Sequence, residues 1–171
     1  LPAHYRHTSP TTAYTPPGGY ASDPLGSKVV KLSQVNINQF AGGSQRAADL
    51  ATYVSPIGRE YALIGLEKGT GIVDVTNPSA PVIRATVPGG EEAGGLGGSL
   101  IVANHEEEPG SEASIWREVA VYGHYAYTVT EAGGGIQVID LANIDSNVAT
   151  IVNGGVQIGP NSSHTIRVNP V

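Results

Sequence analysis

The chain has 171 residues, of which 40% are hydrophobic and 14% charged, with 23 glycines, 12 prolines and no cysteine. The net charge of −6 argues against a nucleic-acid backbone as partner, because that contact needs a surface rich in lysine and arginine. The lack of cysteine excludes disulfides and thiolate chemistry, and no apolar run reaches the length of a membrane span. Many glycines and prolines with few charges predict short strands joined by turns.

Residues 1–28 form a segment rich in serine, threonine, proline and glycine, without an apolar period. Proline fixes φ and removes a hydrogen-bond donor, so we expect an extended arm in polyproline II or coil conformation. An O-glycosylated stalk and a plain flexible linker both fit this composition. Residues 29–171 are predicted to form the folded domain, and the alternation from Val29 to Ile37 predicts a strand at its start.

Two stretches of the chain, residues 47–88 and 115–152, have the same order of features. Each reads as strand, short turn, strand, glycine turn, strand, polar turn and strand, which predicts a four-stranded antiparallel meander. Tyr61-Ala62 matches Tyr125-Ala126, Gly71-Ile72 is set against Gly135-Ile136, and Asp74 against Asp140. Such a meander is the blade of a β-propeller. The sequence therefore predicts an all-β, propeller-like fold.

The predicted propeller is incomplete, with about two blades and the start of a third at residues 163–169. Two blades leave sheet edges exposed, and exposed edges pair with other chains. We expect the remaining blades to lie in further sequence of the same precursor, in a separate fragment or in neighbouring subunits.

A long insert, residues 89–114, separates the two units and contains Glu91, Glu92 and the run His105 to Glu108. A loop of this length inside a compact domain is usually functional or disordered. These carboxylates could bind Ca²⁺ loosely, but they lack the alternating ligand spacing of a dedicated calcium loop. We favour a solvated run of charges.

Several motifs resemble known families. Residues 61–65, 71–78 and 81–82 resemble the LVIVD-type repeat, whereas residues 116–122, 126–132 and 135–141 resemble the choice-of-anchor B family of secreted proteins. The second resemblance implies a propeller-like fold, export, often a surface anchor, and a complete domain longer than this chain. It implies no established activity. The family's Trp-Arg-Asp is Trp116-Arg117-Glu118 here, and its His-Asn is His164-Thr165, which puts in doubt any site built on the replaced side chains.

Alignment of the repeats places Asp49, Glu118 and Thr165 at equivalent positions, with His164 beside the last. In a propeller these residues would lie near the start of each innermost strand, close to the central axis. Asp49, Glu118 and His164 could there hold a divalent cation such as Ca²⁺, because hard cations prefer oxygen ligands. The alternative, which we favour, is that each polar side chain pairs with backbone or with Arg117. No other cofactor is expected.

Three further residues have a predicted role. Asp74 and Asp140 follow strands at matching places, where an aspartate usually accepts hydrogen bonds from turn N–H groups. Asn161-Ser162-Ser163 is an N-glycosylation sequon, so Asn161 is a glycosylation candidate in a secretory pathway that glycosylates.

The sequence contains no Gly-x-Ser-x-Gly elbow, no Walker loop and no His-Glu-x-x-His motif. We therefore expect a secreted or surface-exposed, non-catalytic repeat protein for binding, adhesion or extracellular assembly. The alternative is a cation-dependent extracellular hydrolase or lyase with its site in the propeller channel. A processed domain of an extracellular enzyme is a third interpretation.

Overall fold

The computed structural model describes residues 30–89, 116–152, 159–160 and 162–169. The arm 1–28, the acidic residues of the insert and Asn161 lie outside the described residues. The chain divides into two units, Leu1–Leu32 and Ser33–Val171, and every element below belongs to the second. Of the first unit, the described residues 30–32 are coil.

Two four-stranded antiparallel sheets make up the described part of the second unit, each with its strands in chain order. The first sheet consists of β1 (Ala47–Val54), β2 (Glu60–Leu66), β3 (Gly69–Asp74) and β4 (Val82–Pro88). The second sheet consists of β5 (Arg117–Tyr122), β6 (Tyr125–Thr130), β7 (Gln137–Asp140) and β8 (Thr150–Ile151). These are the two predicted meanders, and the all-β, propeller-like fold class is confirmed. In the described ranges no helix has the length and hydrophobicity of a membrane span.

The alternation of side chains along the strands gives each sheet two different faces. On β2, Tyr61 and Leu63 point to one face of the first sheet and are fully buried, while Ile64 and Leu66 lie on the other. The connection between β5 and β6 is a tight turn at Gly123-His124, where Gly123 has a φ of +60° that side-chain-bearing residues rarely adopt.

The main core lies between the two sheets. It is formed by apolar and aromatic side chains from both repeats, among them Tyr53, Tyr61, Leu63, Ile72, Val87, Val119, Ala126, Ile139, Leu141 and Ile144. Because each sheet supplies about half of these side chains, neither repeat buries this core face without its neighbour. Burial between the sheets is therefore what fixes one repeat against the next.

A smaller core covers the opposite face of the first sheet. Val35, Ile37 and Phe40 pack there against Leu66 and Val73. Residues 30–36 are coil followed by a short 3₁₀ helix, Ile37–Gln39, so the strand predicted from Val29 to Ile37 is wrong. The alternation of residue types has another physical cause. Every second residue from Ser33 to Ile37 is partly buried, although this segment pairs with no strand.

The strand registers correct one part of the predicted repeat alignment. Tyr61 pairs with Asp74 and Tyr125 with Asp140, which makes these two tyrosines and these two aspartates equivalent, as predicted. Counting back along β3 and β7, Gly71 then corresponds to Gln137 rather than to Gly135. The difference arises because β7 begins at Gln137, so Gly135 belongs to the turn before it.

Candidate functional site

The candidate site lies where the innermost strands of the two repeats, β1 and β5, run next to each other. Asp49 is on β1, and its Oδ2 accepts a hydrogen bond of 2.9 Å from the backbone N–H of Val119 on β5. The carboxylate thus accepts a hydrogen bond from an N–H on the edge of β5 that does not pair with β6. This contact joins the two repeats through a charge-assisted hydrogen bond.

Glu118 repeats this arrangement one unit further along the chain. Its Oε2 accepts a hydrogen bond of 3.0 Å from the backbone N–H of Ile166, and its Oε1 contacts the guanidinium of Arg167. The hydrogen bond with Glu118 raises the pKa of the Arg167 guanidinium. Asp49 pairs with Gly65 and Glu118 with Val129, three residues beyond the matched Ala62 and Ala126, so the two carboxylates are equivalent.

An open pocket lies at these carboxylates. It is lined by Ala48, Asp49, Trp116, Arg117, Glu118, His164 and Thr165. The rings of Trp116 and His164 are 5.2 Å apart at a tilt of 51°, and Nδ1 of His164 is 2.8 Å from Oε1 of Glu131. Arg117 is buried, and its Nε donates a hydrogen bond of 3.0 Å to the carbonyl oxygen of Leu66.

The structure thus brings Asp49, Glu118 and His164 to one pocket. Both carboxylates accept backbone hydrogen bonds there, which is the arrangement that the favoured alternative requires. Across the part of the chain that the structure describes, no three or more His, Cys, Asp or Glu side chains form a group that could hold a metal ion. The cation site stays a prediction.

Comparison with family models gives a match at the two sheets. Residues 57–87 and 115–152 match the LVIVD repeat. Two segments of the chain are thus similar to the LVIVD repeat. This agrees with the resemblance seen in the strands and with the propeller-like fold class. The comparisons with curated proteins and with solved structures gave no match.

In both repeats an aspartate at the end of the third strand fixes the following turn. Oδ1 of Asp74 accepts a hydrogen bond of 3.1 Å from the N–H of Thr76, and Oδ1 of Asp140 accepts one of 2.8 Å from the N–H of Ala142. The predicted turn-capping role of both aspartates is confirmed. Burial alone would raise the pKa of Asp74, but hydrogen bonds from Thr76 and Arg84 outweigh it and hold that pKa below its usual value.

Asp145 is a polar residue of this interface that the sequence pattern did not indicate. Its Oδ1 accepts a hydrogen bond of 2.7 Å from the hydroxyl of Tyr61, so it links the second repeat to the first. The ring of Tyr61 stacks on that of Tyr53 at 6.2 Å. A tyrosine on the core face needs a partner for its hydroxyl, but a single sequence does not say which loop supplies it.

Proposed function

We propose that this chain is a secreted or surface-exposed, non-catalytic β-repeat protein whose LVIVD repeats serve in binding, adhesion or extracellular assembly. The supporting observation is the hydrogen bonding of the two equivalent carboxylates. Asp49 accepts the backbone N–H of Val119 on β5, and Glu118 accepts that of Ile166 in the coil after the second sheet. A carboxylate held in this way stabilises the packing of repeats, and its oxygens are less available as a general base or as metal ligands.

The surface of the two sheets also favours a partner-binding role. Leu50 and Val54 on β1 are each 61% exposed, and Tyr122 at the end of β5 is 51% exposed. Leu50 and Val54 lie on the same face of β1, and apolar side chains that are exposed together on one sheet face are typical of interaction surfaces.

The alternative function is a cation-dependent extracellular hydrolase or lyase. It is favoured by the position of Asp49, Glu118 and His164 around a single open pocket. Ca²⁺ would be the cation, bound through carboxylate oxygens.

A calcium titration distinguishes the two functions. The thermal midpoint of the purified chain is measured in EDTA and in millimolar CaCl₂, for wild type, for the double variant Asp49→Asn with Glu118→Gln, and for a control, Glu60→Gln, at an exposed position of β2. We expect CaCl₂ to leave all three midpoints unchanged. Binding to the folded state raises a midpoint by mass action, so a calcium-dependent rise in wild type and control that the double variant lacks would favour the enzyme.

The extracellular location needs its own measurement. An antibody raised against the purified chain is applied to intact and to permeabilised cells of the source, and to the culture medium. We expect staining of intact cells or recovery from the medium. Staining that requires permeabilisation, with none in the medium, would contradict the proposed location.

A further inference from the structure

We propose that the open pocket at the start of β5 binds a neutral saccharide, whose apolar ring face stacks on Trp116 while its hydroxyl groups bond to the charged side chains around it. The proposal rests on the proposed function, because it names the class of partner that the repeats bind. The Trp116 pocket is defined here as the pocket lined by Trp116, His164, Asp49, Glu118 and Arg117.

Trp116 gives the pocket an aromatic surface. It immediately precedes β5, belongs to neither core of the described residues, and is 46% exposed. The ring of His164, whose side chain is 57% exposed, lies 5.2 Å from the indole and widens this surface. A hexopyranose of the gluco or galacto configuration carries several C–H groups on one face, and such an apolar face stacks on an aromatic ring. The two rings therefore suit a ligand that is flat and apolar on one side.

Two carboxylates beside the rings can accept hydrogen bonds from sugar hydroxyl groups. Backbone N–H groups of Val119 and Ile166 hold Asp49 and Glu118 in place. An ionised carboxylate has about four lone-pair sites, so a hydroxyl can donate to the same oxygens without displacing these N–H groups. The carboxylates are thus oriented before a ligand binds, which lowers the entropy cost of binding.

Arg167 supplies the hydrogen-bond donors that the carboxylates lack. Its side chain is 76% exposed, and its guanidinium contacts Oε1 of Glu118. The contacts with Glu118 and with the carbonyl oxygen of Ile166 both use Nη1, so the N–H groups of Nη2 can donate to a ligand. A sugar hydroxyl both donates and accepts, and it therefore matches a site that presents carboxylates next to a guanidinium.

The charges at the pocket favour a neutral ligand over an ion. An anion would lie beside Asp49 and Glu118, whereas a cation would lie beside Arg167 and near Arg117, which also lines the pocket. Like charges brought together at a binding site lower affinity. A saccharide without charged groups avoids both repulsions and can still use every hydrogen-bonding group of the site.

Binding is tested with the purified chain on a glycan array, in buffer that contains EDTA. The chain carries an added biotin tag and is tetramerised on streptavidin, because avidity makes weak single-site binding measurable. We expect binding to glycans that end in a neutral hexose. Trp116 is the only tryptophan of the chain, so its fluorescence reports directly on the pocket. Titration with methyl β-glucoside and methyl β-galactoside should change this emission in a saturable way for at least one of the two.

Four variants locate the site on the array. Trp116→Ala removes the stacking surface and should weaken binding about tenfold, as for tryptophans at other binding hot spots. Trp116→Phe keeps a ring and should retain part of the binding. Arg167→Ala removes a charged donor and should also weaken binding about tenfold. The control is Tyr122→Ala, which removes an equally exposed aromatic side chain at the other end of β5 and should bind like wild type.

Three results overturn the proposal. The first is that no neutral glycan of the array binds. The second is that Trp116→Ala binds as wild type does while its thermal midpoint is unchanged, because the sugar would then bind elsewhere. The third is that CaCl₂ or polylysine changes the emission of Trp116 whereas neither methyl glycoside does, since the pocket would then take a cation.

The proposed function fails on different results. Shortening of a bound oligosaccharide, followed by mass spectrometry, would contradict the non-catalytic function and leave the saccharide site intact. A chain that is found outside the cell and binds no glycan would contradict the saccharide site and leave the extracellular function intact.

Discussion

The carboxylate of Asp49 on the innermost strand of the first repeat accepts the backbone N–H of Val119 on the innermost strand of the second, at 2.9 Å. The two residues are 70 positions apart in the chain. Their hydrogen bond joins the two repeats alongside the apolar core and the hydrogen bonds of Arg117 with Leu66 and of Tyr61 with Asp145. Glu118 makes an equivalent hydrogen bond with the backbone N–H of Ile166.

Removal of the Asp49 carboxylate should weaken the attachment of the two repeats. Asp49→Ala leaves the N–H of Val119 without its acceptor, and we expect the free energy of unfolding to fall by about 1–3 kcal/mol. Asp49→Asn keeps a side-chain oxygen that can accept this bond, so the loss should be smaller. Urea denaturation measures both, with exposed Glu60→Ala as the control that should change little. Equal losses for the alanine and asparagine variants would contradict the hydrogen-bond role.

Gly65→Ala should destabilise the chain through a steric clash between repeats. A methyl group at this position would overlap the carbonyl oxygen of Arg117, which belongs to the backbone of the second repeat and cannot rotate away. We expect a loss of about 1–3 kcal/mol, as for other overpacked cores.

The comparison variant for Gly65 is Gly58→Ala. Gly58 has a φ of +84°, and an added Cβ there meets no atom within 4 Å. Its expected loss is therefore backbone strain alone, about 1–2 kcal/mol for a left-handed residue. The two variants are distinguished by urea unfolding monitored through the fluorescence of Trp116, which reports on the contact between the repeats. A separate early transition is expected for Gly65→Ala, and the prediction fails if it also appears with Gly58→Ala.

Thr70→Val should stabilise the fold. Thr70 is fully buried on β3, and its hydroxyl has no hydrogen-bond partner among the residues that the structure describes. Valine has the same shape without the buried polar group, so the variant should gain about 1 kcal/mol. Differential scanning calorimetry should show a higher thermal midpoint. Thr52→Val, at an exposed site of β1, is the matched control, and a Thr70→Val midpoint at or below wild type would argue against the assignment.

Acid should destabilise the first repeat through Asp74. Hydrogen bonds from Thr76 and Arg84 overcome the effect of burial and hold the pKa of Asp74 below its unfolded value. A lowered folded-state pKa adds stability above the unfolded pKa of about 3.9, and this stability is lost as pH falls through that value toward the folded one.

Urea unfolding between about pH 6 and pH 2 measures the effect, and stability should decrease with a slope that Asp74→Asn reduces. If Asp74→Asn keeps the full wild-type slope, another carboxylate governs the acid response. Glu67 is the next candidate, because hydrogen bonds from Gln45 and Arg46 also outweigh burial and lower its pKa.

Much of the fold follows from local patterns. Alternation within β2 and β6, with turn residues between the strands, predicted both meanders because side-chain period and turn chemistry act over a few residues. The same patterns failed for residues 29–37, where alternating burial against a sheet resembles a strand but no neighbouring strand supplies hydrogen bonds. Strand pairing depends on two segments, so the sequence pattern of one segment does not show whether it pairs with another.

The candidate site divides in the same way. By itself the sequence determined that Asp49 and Glu118 are equivalent members of a repeat, because equivalence depends only on spacing within each unit. What each carboxylate binds was decided by tertiary structure, since the N–H groups of Val119 and Ile166 reach the carboxylates only when segments far apart in the chain pack together. Asp145 reaches Tyr61 for the same reason. Contacts between distant segments depend on the packing of whole sheets, and that packing is set by the buried area of both repeats at once.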